Sequence, residues 1–258
     1  MYNYNLEPES YFTLNKYLQD EMPSFDKKTN FFIIHICCSI LKTDRGLSKI
    51  DPNTELGKEI LEYTGYTGTR TRHFYNNICN SDELKDIKYL EIGTWYGSSS
   101  ISAVYKNNIT GLFIDNWSQF GGEPKIFKDS ISKFKGDSKV HIVENDCWKV
   151  DLKKLNMGPF NVYLYDGGHS ELDHFKSLEY YYPVLDDTFI FMVDDWNWPN
   201  VRDGTMRAIN TLNLKVLFRH EEFISSNDLV NMPNHKGKNT WWNGIGIFLL
   251  SKTSGNFK

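Results

Sequence analysis

The amino-acid sequence predicts an α/β fold in which helices cover both faces of a doubly wound, mostly parallel sheet. From residue 88 onward, short apolar runs alternate with helical patterns, which is typical of strands joined by crossover helices. Several runs end on a carboxylate, as buried strands do when they deliver polar side chains to the rim of a sheet. The last two runs have no helical pattern between them, so we expect them to pair antiparallel at the edge.

Seven strands and four helices follow from this pattern. We predict the strands over residues 89–92, 111–114, 140–144, 160–165, 188–193, 214–223 and 244–250. The helices are predicted over residues 97–105, 123–134, 171–182 and 201–212. Residues 225–238 are polar and contain Pro233 and Gly237, so we expect a mobile loop between the last two strands.

The first 85 residues follow a different pattern and predict a helical N-terminal extension, residues 1–85, beside a main domain of residues 86–258. We expect the extension to pack on the main domain or to form a lid over it. Its helical patterns cover residues 10–21, 30–42 and 55–62. Residues 65–77 begin as a loop and continue as a helix, whose Arg, His and Asn side chains indicate a solvated face rather than a ligand contact.

The bulk composition limits the classes of function. A formal charge of −4 over 258 residues leaves no basic surface for a nucleic-acid backbone, so nucleic acid is not an expected partner. The four cysteines form no CxxC pair and the N-terminus shows no secretory signal, so reduced thiols and a cytoplasmic location are expected. The longest apolar run, residues 31–41, has about half the length that a membrane span needs. Assembly into a homo-oligomer is left open.

The first predicted strand runs into a glycine-containing loop that leads to a helix, Glu91-Ile92-Gly93-Thr94-Trp95-Tyr96-Gly97-Ser98-Ser99. Gly93 permits a tight turn, and Gly97 lets the helix approach the sheet closely. The dinucleotide-binding fingerprint needs a glycine where Trp95 stands, and the sequence contains no GxxxxGK[ST] phosphate loop. The loop therefore favours a ligand that carries an adenosine but no phosphates.

Acidic residues follow the second and third predicted strands, at the edge where open α/β sheets bind their ligands. Asp115 ends the second strand and can accept both hydroxyls of a ribose. Asp146 follows the third strand and can meet an adenine edge. Either residue alone could equally cap a turn or a helix, but their order along the chain supports a nucleoside site.

Together these motifs resemble those of the class I S-adenosylmethionine-dependent methyltransferases, which have a Rossmann-like sheet of seven strands with a reversed last hairpin. The resemblance covers residues 70–251 and rests on Glu-x-Gly-x-x-x-Gly-x-Ser and on the acidic residues after strands two and three. It implies S-adenosylmethionine as cofactor and methyl transfer as the reaction. The cofactor-binding residues that it implies are Glu91, Gly93, Thr94, Trp95, Gly97, Ser99, Asp115, Asn116, Trp117, Asp146, Cys147, Trp148 and Asp166.

A second cluster of carboxylates follows the fourth and fifth predicted strands. Asp166, Asp194 and Asp195 offer the oxygen ligands that suit Mg²⁺ or Mn²⁺, and His169 is the candidate general base. The spacing is similar to that of metal-dependent O-methyltransferases of the catechol type and of the macrocin, or sugar, type. It departs from the first at the base, which is Lys there, and from the second at Gly168, where those enzymes have Asp.

The acceptor is predicted from the residues around this cluster. Trp196, Asn197, Trp241 and Trp242 are the candidate substrate contacts, and indole walls favour a small molecule such as a sugar, a glycan, another polyol or a phenol. The predicted reaction is displacement at a sulfonium methyl by a substrate hydroxyl that His169 deprotonates. Two alternatives stay open: a metal-independent small-molecule methyltransferase, and a methyltransferase fold retained as a non-catalytic binding protein.

Overall fold

The structure, a computed structural model, describes residues 25–224 and 240–252 and confirms the predicted fold class. The strands are β1 (Lys88–Ile92), β2 (Thr110–Asp115), β3 (Lys139–Glu144), β4 (Phe160–Tyr165), β5 (Leu185–Asp194), β6 (Leu214–Glu222) and β7 (Ile245–Lys252). They form one sheet in the order β3-β2-β1-β4-β5-β7-β6, in which β7 runs antiparallel to the other six strands. The last two strands pair antiparallel at the edge, as predicted.

Helices cover both faces of this sheet. They are α1 (Lys27–Asp44), α2 (Glu55–Leu61), α3 (Thr69–Ile78), α4 (Ser98–Val104), α5 (Pro124–Phe134), α6 (Glu171–Tyr181) and α7 (Pro199–Thr211). The predicted helix over residues 10–21 and the predicted loop over residues 225–238 lie outside the described residues. Across residues 25–224 and 240–252, no helix combines the length and the apolar character that crossing a membrane requires.

Local sequence signals set the start of one helix and of one strand. Ser170 caps α6 by accepting from the backbone N–H of Asp173, whose carboxylate in turn accepts from the backbone N–H of Ser170. This capping box starts the helix directly after His169. Strand β5 begins earlier than predicted because a 3₁₀ turn over Tyr182–Val184 passes the chain straight into the strand.

Side-chain alternation along the strands divides the core into two layers. Val162 and Leu164 of β4 face the layer that contains α1 to α5, whereas Tyr163 and Tyr165 face the layer under α6 and α7. The N-terminal helices share the first layer with the sheet, because Phe32 of α1 and Phe74 of α3 belong to the same buried cluster. The division of the chain at residue 85 remains a prediction.

The predicted solvated face of residues 65–77 is wrong. The α3 side chains from Thr71 to Ile78 are all buried. Arg72 is fully buried and donates to the backbone carbonyls of Ile60, Tyr63 and Thr67 at 2.5, 2.7 and 3.1 Å. Burial lowers the pKa of Arg72 to about 10. The polar side chains are therefore internal bonding partners, a role that helical spacing does not distinguish from solvation.

Candidate active site

The carboxyl ends of β1, β2, β4 and β5 open into a cavity of about 630 Å³. Open parallel sheets bind ligands at this edge, where the loops after successive strands converge. Most of the predicted site residues line it: Gly93, Thr94, Trp95, Ser99, Asp115, Asn116, Asp146, Cys147, Trp148, Asp166, His169, Asp194, Asp195 and Trp242.

The loop after β1 needs glycine because of a close backbone approach. Gly93 has φ of +88°, and a Cβ atom there would lie 1.8 Å from the carbonyl oxygen of Asp166. No side chain fits that space, so the first loop can lie directly against the loop after β4. Gly97 also has a left-handed φ, +96°, and a Cβ atom there would lie 2.7 Å from the ring of Phe127.

Asp115 joins two loops at one end of the cavity. Its Oδ2 accepts from the backbone N–H of Trp95, and its Oδ1 accepts from the backbone N–H of Trp117, both at 2.7 Å. The indole N–H of Trp117 donates to the carbonyl oxygen of Trp95, also at 2.7 Å. Each carboxylate oxygen has a second lone pair, so Asp115 can still accept two further hydrogen bonds from a ligand in the cavity.

Asp146 and Trp148 form the neighbouring wall. Asp146 caps a 3₁₀ turn over Cys147–Lys149 by accepting from the backbone N–H of Trp148 at 3.0 Å. This backbone hydrogen bond is the main cause that lowers the pKa of Asp146, so its carboxylate is ionised. Burial raises the pKa of the Cys147 thiol to about 12, which excludes a thiolate nucleophile at that position near neutral pH.

A cluster of ionisable groups lies where β4 and β5 end. The register of these parallel strands sets Tyr165 beside Val193, so the residues that follow them meet. Nε2 of His169 lies 2.7 Å from Oδ2 of Asp195, and Nδ2 of Asn243 donates to Oδ1 of Asp195 at 2.7 Å. One ligand atom from each of Asp166, His169 and Asp195 lies within 4.8 Å of the other two.

Asp194 adds a buried carboxyl to this cluster. It is 4% exposed, and its Oδ1 has no hydrogen-bond partner among the described residues. Burial, followed by repulsion from Asp195, raises the pKa of Asp194 well above its ordinary value. Burial, followed by repulsion from Asp194, also raises the pKa of Asp166. Carboxyls crowded in this way are stabilised by a shared cation.

Further buried polar atoms around the cavity have no partner in the described part of the chain. They include Oγ1 of Thr94, the indole N–H of Trp95 and Oδ1 of Asn243. Buried polar atoms in folded proteins are normally hydrogen-bonded, so these atoms are available to a ligand. The donor set therefore fits a nucleoside beside Asp115, and the orphan Asp194 oxygen in an all-oxygen and imidazole cluster fits a divalent cation.

Three predicted cofactor contacts lie behind the cavity wall. Glu91 is fully buried and accepts hydrogen bonds from the hydroxyls of Ser99, Ser100 and Tyr89 at 2.6, 2.7 and 2.8 Å. Burial raises the pKa of Glu91 to about 7. Gly97 and Trp117 also support the loops without lining the cavity.

Three predicted substrate contacts also lie away from the cavity, and this prediction is corrected. Trp196 is completely buried, packs on Phe248 and donates its indole N–H to Glu221 at 2.7 Å. Trp241 is buried against Phe74 of α3. The Asn197 side chain bonds the backbone of Ile224. The remaining predicted contact, Trp242, does line the cavity.

Other residues that line the cavity were not predicted as site residues from the sequence. Tyr66 stacks on Trp95 with ring centroids 4.7 Å apart, and the Thr67 hydroxyl bonds Ser98 at 2.8 Å. Asn243 fixes Asp195, and Asp173 lies at the rim beside Gly168. The glycines on either side of Tyr66-Thr67 are the one sequence signal that indicates a chain segment held close to a neighbour, because a Cβ at Gly65 would lie 2.3 Å from Cβ of Ser98.

Comparisons with known proteins agree with this geometry at the level of the fold. No family model and no curated protein matches the chain. A candidate caffeoyl-CoA O-methyltransferase from Staphylococcus aureus is 15% identical, with a TM-score of 0.52 over 87% of this chain and 99% of that chain. An O-methyltransferase from Bacillus cereus in complex with S-adenosylhomocysteine is 12% identical, with a TM-score of 0.43 over 94% and 99%. The likeness to the first structure, together with the strand order of the sheet, shows that the chain has the fold of the class I S-adenosylmethionine-dependent methyltransferases.

Proposed function

We propose that this protein is an S-adenosylmethionine-dependent O-methyltransferase that uses a divalent cation and methylates a hydroxyl of a small molecule, a sugar or other polyol. One observation carries the proposal. Asp115 accepts from the backbone N–H of Trp95 in the glycine loop, and it lines the same cavity as the cluster of Asp166, His169 and Asp195. A nucleoside site beside an oxygen-binding cluster is the arrangement that methyl transfer to oxygen needs.

The donor end of the cavity is assigned to the cofactor. When bound, S-adenosylmethionine supplies an electrophilic methyl group on a sulfonium centre. The free lone pairs of Asp115 suit the two ribose hydroxyls, and the wall of Asp146, Cys147 and Trp148 suits the adenine. The unpartnered Thr94 hydroxyl is available to the methionine part. These residues would bind and orient the cofactor in the cavity that the carboxylate cluster also lines.

The carboxylate cluster is assigned to Mg²⁺ or Mn²⁺. Asp166, Asp194 and Asp195 are the proposed ligands, and the unpartnered oxygen of Asp194 supports this assignment. When bound, the cation makes a nearby hydroxyl easier to deprotonate and neutralises the crowded carboxylates. His169 borders the same cluster and offers a nitrogen ligand in place of Asp194.

We assign the proton-accepting role to His169. A hydrogen bond from Nε2–H to Asp195 leaves the Nδ1 lone pair free to take a proton. Asn243 holds Asp195 from its other oxygen, so the imidazole and its partner are oriented before substrate binds. The acceptor oxygen gains the methyl group as the carbon–sulfur bond breaks, and the hydroxyl proton passes to His169.

The N-terminal extension belongs to the proposed site as well. Residues 1–85 remain assigned as an extension or lid, and Tyr66 and Thr67 from its described residues, 25–85, line the cavity. Their contacts to Trp95 and Ser98 join this segment to the glycine loop. Cofactor binding should therefore depend on the extension as well as on the sheet.

Calorimetry with S-adenosylhomocysteine tests the proposed function directly. We expect one binding site per chain, with affinity lost when Asp115 is replaced by Ala. Asp129→Ala is the matched control, because Asp129 is an exposed carboxylate that pairs with Lys125 on α5. No binding to the folded protein would contradict the enzyme assignment and support a methyltransferase fold retained for another binding role.

The second candidate is a methyltransferase that needs no metal. The contacts between His169, Asp195 and Asn243 favour it, because they form an oriented base without any cation. Methyl transfer from labelled S-adenosylmethionine to a panel of sugars and phenols, assayed with EDTA and then with added Mg²⁺, separates the two. Loss in EDTA and recovery with Mg²⁺ supports the metal-dependent enzyme, whereas full activity in EDTA supports this alternative.

A further inference from the structure

Tyr75 is a buried residue of α3 whose hydroxyl the proposed mechanism does not use. Its side chain is 1% exposed, and its hydroxyl has no hydrogen-bond partner among residues 25–224 and 240–252. A buried hydroxyl without a partner destabilises the folded state, and most buried polar groups in folded proteins are hydrogen-bonded. Phenylalanine would fill the same space without that cost. The hydroxyl therefore indicates a role beyond packing.

Asp194 faces the layer of the core that contains Tyr75. Ile190 and Met192 of β5 belong to the buried cluster on this side of the sheet, and side chains two residues apart on a strand point the same way. Asp194 is the next residue in this series, and Tyr75 belongs to the same cluster. Oδ1 of Asp194, like the Tyr75 hydroxyl, has no partner in the described part of the chain. An unpartnered donor and an unpartnered acceptor thus share one buried layer.

Helix α3 also packs against the loop that precedes β7. The ring centroids of Phe74 and Trp241 are 5.5 Å apart. At the N-cap of α3, a Cβ atom on Gly68 would lie 2.1 Å from the carbonyl oxygen of Thr240. The same loop carries Asn243, which donates to the carboxylate cluster. The helix that carries Tyr75 is therefore packed against a segment of the proposed cation site.

The charges around Tyr75 agree with this placement. Burial raises the pKa of Tyr75 well above its ordinary value, and repulsion from Asp194 is the largest of the charge effects that add to it. Asp166, Glu91 and Asp195 contribute in the same direction. The phenol therefore keeps its proton and is a hydrogen-bond donor on the side of the sheet where carboxylates collect.

We propose that Tyr75 is a positioning residue of the cation site, whose hydroxyl is the hydrogen-bond donor for Asp194. The inference rests on the proposed function and adds α3 of the N-terminal extension to the metal site. The two groups are both unpartnered in this structure, so the hydrogen bond forms when the cation is bound or through a water molecule. Hydrogen bonds to metal ligands orient them, and their loss typically lowers metal affinity by about 10- to 100-fold.

The affinity of Tyr75→Phe for Mn²⁺ tests the proposal without any turnover. Calorimetry and the electron paramagnetic resonance signal of free Mn²⁺ measure it. We expect the dissociation constant for Mn²⁺ to rise by at least about tenfold, while that for S-adenosylhomocysteine stays within a factor of about three. Urea unfolding of the metal-free protein should show no loss of stability, because the substitution removes an unpartnered buried hydroxyl. A merely structural role would not combine weaker metal binding with unchanged stability.

Tyr163→Phe is the matched control. Tyr163 is also fully buried, but its hydroxyl donates to the carbonyl oxygen of Ser177 in the other layer of the core. Its loss should lower the stability of the metal-free protein and leave the affinity for Mn²⁺ as in the wild type. Equal affinities for Mn²⁺ in Tyr75→Phe and the wild type, or equal losses in the two variants, would overturn the inference.

Two further outcomes separate this inference from the proposed function. Failure of the wild type to bind Mn²⁺ overturns the metal part of the proposed function and the inference with it. Loss of affinity for both Mn²⁺ and S-adenosylhomocysteine in Tyr75→Phe alone indicates general damage to the cavity. That result overturns the positioning role of Tyr75 and leaves the proposed function standing.

Discussion

Several residues around the cavity have left-handed backbone conformations, which residues other than glycine rarely adopt. Trp95, Phe120, Asp195 and Trp242 have φ angles of +42°, +55°, +55° and +57°. Each conformation costs on the order of 1–3 kcal/mol, and such residues persist only where surrounding contacts over-determine them. The hydrogen bond to Asp115 is such a contact for Trp95, and the hydrogen bond from Asn243 is such a contact for Asp195. All four residues line the cavity.

His169→Ala separates two roles for this histidine. If His169 is the general base, replacing it should lower the turnover number by about 100-fold or more, while the affinity for Mn²⁺ stays within a factor of about three. Steady-state rates and Mn²⁺ titration of the same preparation check this. A large loss of Mn²⁺ affinity would instead identify His169 as a metal ligand, since its nitrogen lies within the cluster. Trp198→Phe, beside the imidazole ring, is the packing control.

Glu91 should make stability depend on pH. Burial raises its pKa from 4.5 to about 7, and three hydroxyls offset part of that rise. Because the folded-state pKa is the higher one, the stabilisation is fully present below pH 4.5 and is lost as pH rises through about 7. The free energy of unfolding should therefore fall by about 3 kcal/mol more in the wild type than in Glu91→Gln between these limits.

Urea unfolding across this pH range measures the difference between the two proteins. Gln keeps the shape and an acceptor for the Ser99 and Ser100 hydroxyls but does not titrate. Glu59→Gln is the control, because Glu59 pairs with Lys133 at the surface. Parallel pH profiles for the wild type and Glu91→Gln would contradict the assigned pKa.

At the scale of elements, buried Arg72 in α3 holds the segment between α2 and α3. Its three backbone acceptors belong to Ile60, Tyr63 and Thr67, so one guanidinium bonds the chain before and after Tyr66. The planar fork reaches three acceptors in different directions, which the compact Lys ammonium cannot do. This helix therefore supports the cavity through Arg72, which does not line the cavity itself but bonds the backbone of the lining residue Thr67.

Arg72→Lys should lower the free energy of unfolding by about 3 kcal/mol. At least one buried carbonyl loses its donor, and the buried positive charge loses part of its hydrogen bonding. It should also weaken S-adenosylhomocysteine binding, since Tyr66 and Thr67 lose their support. Chemical denaturation and calorimetry measure the two effects. Arg70→Lys is the matched control on the same helix, because Arg70 is partly exposed and pairs with Asp44. Equal effects of the two substitutions would contradict the positioning role of Arg72.

At the scale of the whole molecule, the two ligands of the proposed site should stabilise the fold independently. A ligand that binds only the folded state at about 100 times its dissociation constant adds about 2.7 kcal/mol to the free energy of unfolding. Asp194→Ala should abolish the increase in melting temperature caused by Mn²⁺ and keep the increase caused by S-adenosylhomocysteine. Thermal denaturation with each ligand alone checks this, and loss of both increases would contradict separate sites.

The sequence alone determined the fold class and predicted which carboxylates meet at one edge of the sheet. Alternation of apolar runs and helical patterns is a local property, and it predicted all seven strands and the reversed last pair. Because carboxyl ends of parallel strands converge, the same pattern assigned Asp115, Asp146, Asp166 and the Asp194-Asp195 pair to one edge of the sheet. These predictions needed only the period and order of the elements.

Only the tertiary structure decided which aromatic and polar side chains face the cavity. Trp196 and Trp241 are buried in the core, whereas Trp198 and Trp242 line the cavity. The sequence cannot distinguish the two pairs, because loops have no repeating geometry and therefore no periodic pattern. The contacts of Tyr66 with Trp95 and of Asn243 with Asp195 join residues far apart in sequence. The buried bonds of Arg72 arise in the same way. Such contacts depend on the packing of whole elements, which local sequence patterns do not encode.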